Sequence, residues 1–178
     1  MEDKYSYKNR KYDVVPYDTE WPMLFEQYAS RILSIFPNVQ IEHIGSTSVP
    51  GMAGKPCIDI LVTVEDLHTV ETHVSDMEQA GFEYAGQFLM EGSRLFRVMK
   101  DNVLLANVHF FLQKHSHIKE ILTLRDYLRS HPDEVAAYSN LKKDLVRDYK
   151  DDYASYRKNK DAYMEKLKER AAQDASSK

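Results

Sequence analysis

Residues His43 to Ile60 read HIGSTSVPGMAGKPCIDI. A short branched run, Val39 to Ile44, ends in a glycine, and three hydroxyl residues follow, Ser46, Thr47 and Ser48. Gly45 allows backbone angles and close approaches that other residues resist. Short hydroxyl side chains beside exposed backbone N–H groups form concavities that bind phosphate oxygens. Pro50, Gly51 and Gly54 shape the rest of the loop, and Lys55 brings a positive charge to its end. A turn-rich loop with no ligand fits the same residues. The pattern differs from the GxxxxGK[ST] phosphate loop, because Pro56 follows Lys55 and no helix is indicated there.

The loop delivers the chain to Pro56–Val64, PCIDILVTV, an apolar strand expected at the centre of a sheet. Side chains alternate along a strand, so Cys57, Asp59 and Leu61 share one face while Ile58, Ile60 and Val62 share the other. A carboxylate in such a strand is costly unless it is paired or binds a metal. Asp59 is therefore a candidate functional acid, with a structural pair to Lys or Arg as the competing reading.

Outward from this centre, Trp21, Leu24, Phe25, Tyr28, Ile32 and Ile35 recur at three- and four-residue steps. They predict a helix over Glu20 to Phe36, opened by Pro22 and ended by Pro37. Glu65 to Ala80 reads as one amphipathic helix with Leu67, Val70, Val74 and Met77 inward and Gly81 as its cap. Strands follow over Phe82–Gly86, Arg94–Lys100 and Val103–Leu112, with Asp101-Asn102 as a tight hairpin turn. From Ser116 the chain turns helical. One helix carries Ile118, Ile121, Leu122, Tyr127 and Leu128. Pro132 opens another with Val135, Tyr138, Leu141, Leu145 and Tyr149 on one face, and a last helix runs from Asp152 to Arg170. This order predicts a single α+β domain: a mixed sheet with packed helices and a C-terminal helical layer. The first twelve residues and the polar tail 171–178 are expected to be flexible.

The chain has 178 residues and a net charge of −4, from 24 basic and 28 acidic residues. That balance gives no electrostatic case for duplex nucleic acid. No apolar stretch approaches the roughly 20 residues that span a bilayer, so no membrane association is expected. Cys57 is the one cysteine and reads as a small buried residue; with no disulfide possible in the chain and no leader, a cytoplasmic setting is expected.

Further candidates surround the turn. Glu42 and His43 precede it, and either could supply a ligand or a base. His109 lies between apolar neighbours in the last strand and shares a face with Asn107 and Phe111. Arg97, within Leu95-Phe96-Arg97-Val98, needs an anionic partner: Asp59, Glu42 or a phosphate. Arg125 is a candidate second phosphate contact, and Lys160 lines either the cleft or a solvated helix face. His115 and His117 are weak as metal ligands. The tyrosines from Tyr127 to Tyr163 are expected to pack in the core, with base stacking as the alternative.

Val15-Pro16-Tyr17, Trp21-Pro22, IEHIGSTSVPGMAGKPCIDILV, LRDYLRSHP at Leu124 to Pro132, Tyr156 and Lys160 together resemble the GrpB (UPF0157) family, over about Tyr12 to Arg170. The resemblance implies the polymerase-β-like nucleotidyltransferase fold, in which a Gly-Ser turn holds nucleotide phosphates. It also implies a following strand whose two acids, one residue apart, bind divalent metal, often with a third acid from a neighbouring strand. Gly45-Ser46 matches the turn and Asp59 the first acid. Leu61 stands at the second acid's position, and His109 is offered where a third acid would stand. The resemblance implies Mg²⁺ or Mn²⁺ at Asp59, with Glu42 a further ligand candidate. Such domains occur fused to dephospho-coenzyme A kinase in some bacteria, an association with nucleotide or coenzyme A metabolism. Three functions follow: metal-dependent nucleotidyl or phosphoryl transfer with Asp59 and His109 as catalytic groups, binding of a nucleotide or small phosphorylated ligand without transfer, and a structural or partner-binding role.

Overall fold

The structure is a computed structural model that describes residues 13–87 and 91–177. Its elements are α1 (Trp21–Ile35), β1 (Gln40–Ile44), a single 3₁₀ turn (Ser46–Ser48), β2 (Ile58–Val64), α2 (Leu67–Thr72), α3 (Val74–Gln79), β3 (Glu83–Gly86), β4 (Ser93–Lys100), β5 (Val103–Leu112), α4 (Ser116–Ser130), α5 (Pro132–Asp148) and α6 (Tyr153–Ser176). The strands form one mixed sheet in the order β1-β2-β5-β4-β3. β2 and β5 run parallel; the other neighbours are antiparallel. This is the expected α+β architecture, with β2 inside the sheet.

Alternation in β2 divides the molecule into layers. Ile58, Ile60, Val62 and Val64 face a core shared with Val108 and Phe110 of β5, Phe96 of β4, and helices α1 to α3. Leu61 faces the opposite side, where Ile44 and Phe111 pack with Ile118, Ile121 and Leu122 of α4. A third cluster joins Val49 and Met52 of the loop to Tyr127, Leu128, Val135, Tyr138, Leu167 and Ala171. The helical layer thus grips the glycine-rich loop as well as the sheet.

Two sequence expectations are corrected. The helix over Glu65–Ala80 is two short helices, broken at His73 (φ −102°, ψ 14°). Asp66 caps α2 by accepting from the His68 N–H, which moves the start inward. The break follows a stretch rich in poor helix formers, Thr69, Val70, Thr72 and His73. Val70 and Met77 are still both fully buried, so the inward face survives the break. At the other end, α6 continues to Ser176, past the expected end at Arg170. Ala171 is buried against the third cluster, and this packing holds a segment whose own polarity suggested a loose tail. The first twelve residues lie outside the described residues.

Asp101 and Asn102 both have positive φ, 50° and 62°, and link Lys100 to Val103 directly. This is the two-residue turn whose twist matches a β-hairpin.

Candidate functional site

The glycine-rich loop is packed rather than loose. Gly45 has φ 73°, and a Cβ there would lie 2.6 Å from Asp59 Oδ2. A Cβ on Gly54 would lie 2.7 Å from the Ser46 Cβ. Glycine is therefore required at both positions: the turn sits directly against the Asp59 carboxylate, and the loop folds back on Ser46. Paired hydrogen bonds between Val15 and Gly54 (2.9 and 3.0 Å), and one from the Ala53 N–H to Ser139 Oγ (3.0 Å), fix its far end.

The three hydroxyls have different tasks. Ser48 Oγ donates to the Gly45 carbonyl at 2.7 Å. Thr47 Oγ1 lies 2.9 Å from His43 Nε2 and donates to the Cys57 carbonyl at 3.4 Å. Both residues are buried. The turn thus uses Thr47 and Ser48 to hold its own shape, and they are not the outward phosphate donors that the sequence suggested. Ser46 differs: its Oγ accepts from Lys142 Nζ at 2.9 Å.

Lys142 was missed in the sequence. It is 2% exposed, on α5, with its ammonium 4.4 Å from the Tyr138 ring centre. Burial, and then Lys160, lower its pKa to about 7. No carboxylate pairs with it among the described residues. A signal was present: Tyr138, Lys142 and Leu145 are spaced so that the lysine lies within the apolar stripe of α5. Lys55, at the loop's end, donates to Tyr153 Oη at 3.1 Å and lies over the rings of Tyr153 and Tyr156 at 4.2 and 5.0 Å. Lys160 of α6 is half-buried and pairs with Asp161 at 2.8 Å. The tyrosines of this layer pack and clamp: Tyr138 and Tyr156 are buried, and Tyr138 stacks on Tyr163 at 5.5 Å.

Strand register places the remaining candidates. One row across the sheet reads Ile44, Asp59, Asn107, Arg97, Glu83, and the next reads Glu42, Leu61, His109, Leu95, Gly86. Asn107 Nδ2 donates to Asp59 Oδ1 at 2.9 Å and lies 3.5 Å from Cys57 Sγ. Burial raises the Asp59 pKa, while His109, the Asn107 hydrogen bond, Lys160 and Lys55 oppose that rise. Burial likewise lowers the His109 pKa against the pull of Asp59. Asp59 and His109 thus each favour the charged form of the other, against burial. Arg97 is buried and reaches the row from β4, with Asn107 between it and Asp59 in the sheet.

Glu42 and Arg125 are committed to each other. Arg125 Nη1 donates to Glu42 Oε2 at 2.6 Å and to the His43 carbonyl at 3.2 Å, and its Nε donates to Asp126 at 2.8 Å. Arg129 donates twice to the Ser48 carbonyl, at 3.0 and 2.9 Å. These arginines pin β1 and the turn to α4. His43 is buried against Phe25, ring centres 4.7 Å apart, and burial with Arg129 and Arg125 lowers its pKa to about 4. His43 is thus a neutral packing residue. Arg94 pairs with Glu71, away from the turn. His115 caps α4 by accepting from the His117 N–H, and His117 lies 3.3 Å from Glu120.

Among the described residues, no three His, Cys, Asp or Glu side chains are placed to hold a metal ion. Near the turn Asp59 is a lone carboxylate in the field of Lys55 and Lys160, with Lys142 on Ser46, so the donors do not fit a two-metal centre. No helix among the described residues is long and apolar enough to cross a membrane.

Known proteins share this fold. The crystal structure of the conserved protein GrpB from Enterococcus faecalis superposes with a TM-score of 0.85 at 34% identity, covering 92% of this chain and 99% of that one. The Cid1 poly(U) polymerase, in a mutant form bound to MgATP, matches with a TM-score of 0.52 at 14% identity, over 76% of this chain and 44% of its own; it shares the fold alone. The nucleotidyltransferase-like fold that the resemblance implied is therefore present. UPF0157 protein YqkA of Bacillus subtilis is 34% identical over 167 residues, 93% of this chain, and the chain spans about half of that relative, 48% of its length. The GrpB protein family matches residues 11–170, a span that holds the turn, the Asp59 strand, α4, α5 and most of α6, and the chain belongs to the GrpB family.

Proposed function

We propose that this protein binds a nucleotide or another small phosphorylated molecule at the Gly45–Ser46 turn, in the cytoplasm. The observation that carries the reading is Lys142: a buried ammonium aimed at Ser46 Oγ, with no carboxylate partner among the described residues. An unpaired buried cation is costly, and such groups concentrate where a ligand supplies the missing charge. Lys55 and Lys160 add to the positive field beside the turn, and Gly45 itself is exposed. Calorimetric titration with ATP, GTP, CTP and UTP, and with inorganic tripolyphosphate, tests the reading. Binding that falls about tenfold or more in Ser46→Ala and in Lys142→Gln supports it. No heat and no thermal shift with any of them would sink it.

A second reading, transfer of a nucleotidyl or phosphoryl group, is favoured by the register that puts His109 two residues along β5 from Asp59's partner Asn107, on the same face of the sheet and within the electrostatic pull of Asp59. In that reading Asp59 orients and charges the imidazole, and His109 moves the proton of an acceptor hydroxyl. A Mg²⁺ or Mn²⁺ ion of the two-metal kind would find one carboxylate here, Asp59. Turnover of a labelled nucleoside triphosphate that is lost in both Asp59→Ala and His109→Gln would favour transfer over binding alone.

A further inference from the structure

A phosphoryl group arriving at Ser46 carries negative charge that the site must balance. In two-metal enzymes carboxylates hold cations that face the phosphates. Leu61 stands at the second carboxylate's position, fully buried between Ile44, Phe111 and α4, so no water-filled space for a metal surrounds it. On β5 the neighbouring residues are Asn107 and His109, and Asn107 already donates to Asp59 Oδ1. The other oxygen, Oδ2, is the one against Gly45. Both carboxylate oxygens thus have close neighbours within the protein.

Ammonium groups occupy the neighbourhood instead. Lys142 Nζ is 2.9 Å from Ser46 Oγ. Lys160 and Lys55 are close enough to Asp59 to favour its anion. A divalent ion placed here would be attracted by Asp59 and repelled by the Lys142 and Lys55 ammonium groups, Lys160 being offset by Asp161 at 2.8 Å. A phosphate chain would meet the reverse balance.

We infer that the site takes its ligand as the metal-free polyphosphate anion, with Lys142 and Lys160 supplying the neutralising charge that divalent metal supplies in two-metal transferases. This rests on the proposed phosphate site and deepens it by naming the form of the ligand. The ligand is a di- or triphosphate chain, recognised without its magnesium complex.

Calorimetry with ATP and with inorganic tripolyphosphate, each in EDTA and in excess Mg²⁺, tests the inference. Binding is expected in EDTA and is expected to weaken about threefold or more when Mg²⁺ competes for the phosphates. Lys142→Gln and Lys160→Gln are each expected to weaken the EDTA binding about tenfold. Circular dichroism checks that the variants fold. Lys160 is half-buried on α6, so its variant carries the test if the Lys142 variant unfolds. Mn²⁺ alone, followed by electron paramagnetic resonance, is expected to stay free. Binding that appears only with Mg²⁺, or tightens about tenfold with it, overturns the inference and leaves the phosphate site standing. Mn²⁺ held by the protein alone and released in Asp59→Asn overturns it as well. Absence of heat with both ligands in both buffers overturns the phosphate site itself, and the inference falls with it.

Discussion

At the scale of single residues, Gly45 and Lys142 carry most of the site. Gly45 adopts φ 73° with Asp59 Oδ2 2.6 Å from where a Cβ would be, so both backbone and space demand glycine. Gly45→Ala is expected to cost about 2–4 kcal/mol, from the left-handed backbone and the clash together. Chemical denaturation measures it, and pairing with Asp59→Ala, which removes the clash but not the strain, should recover part of the loss. Lys142 is the opposite case, a residue that works against stability. Its folded pKa is about 7 against a usual 10.5. Above pH 7 the unfolded chain holds this proton and the folded chain does not, so folding releases it. Stability from this group therefore rises as pH goes from about 7 toward 10.5, and the full penalty is present below about pH 7. Lys142→Met is expected to raise stability by about 1–3 kcal/mol at neutral pH. The gap between the two proteins should narrow as pH rises, which thermal unfolding across that range would read. A gap that widens with pH would contradict a buried, destabilised cation.

At the scale of elements, the β4–β5 hairpin and the packed loop decide where functional groups stand. Asp101 and Asn102 sit in the left-handed region that the two-residue turn requires. Asn102→Val, with a branched Cβ in that region, is expected to cost about 1–2 kcal/mol by urea titration. The turn pairs Lys100 with Val103, and a bulge between Val98 and Met99 then shifts the register by one, so that Arg97 stands opposite Asn107, and Leu95 opposite His109. These elements were readable in advance: the hairpin turn, the strand alternation around Asp59 and the apolar stripe of α1 all come from neighbours in sequence. The break at His73 and the extension of α6 to Ser176 were not. The first comes from local capping by Asp66 beside weak helix formers, the second from contacts that Ala171 makes across the helical layer.

For the whole molecule, the helical layer is what completes the site. Lys142 of α5 reaches Ser46, and Lys160 of α6 comes near Asp59, because Leu167, Tyr138 and Leu128 lock α4, α5 and α6 together over Val49 and Met52. Leu167 is fully buried, and Leu167→Ala is expected to cost about 2–5 kcal/mol. It should also weaken tripolyphosphate binding, although it touches no ligand; unchanged affinity in a folded Leu167→Ala would show that the layer does not position the lysines. The sequence by itself determined the α+β class, the strand that carries Asp59, and the Gly45–Ser46 turn, because each depends on periodicity or backbone freedom within a few residues. Only the tertiary structure decided which groups that turn meets. Thr47 and Ser48 turned inward, Arg125 went to Glu42, and Lys142 arrived at Ser46 from 96 positions along the chain. Such meetings follow from how the layers pack, and no local pattern encodes a contact between side chains that far apart.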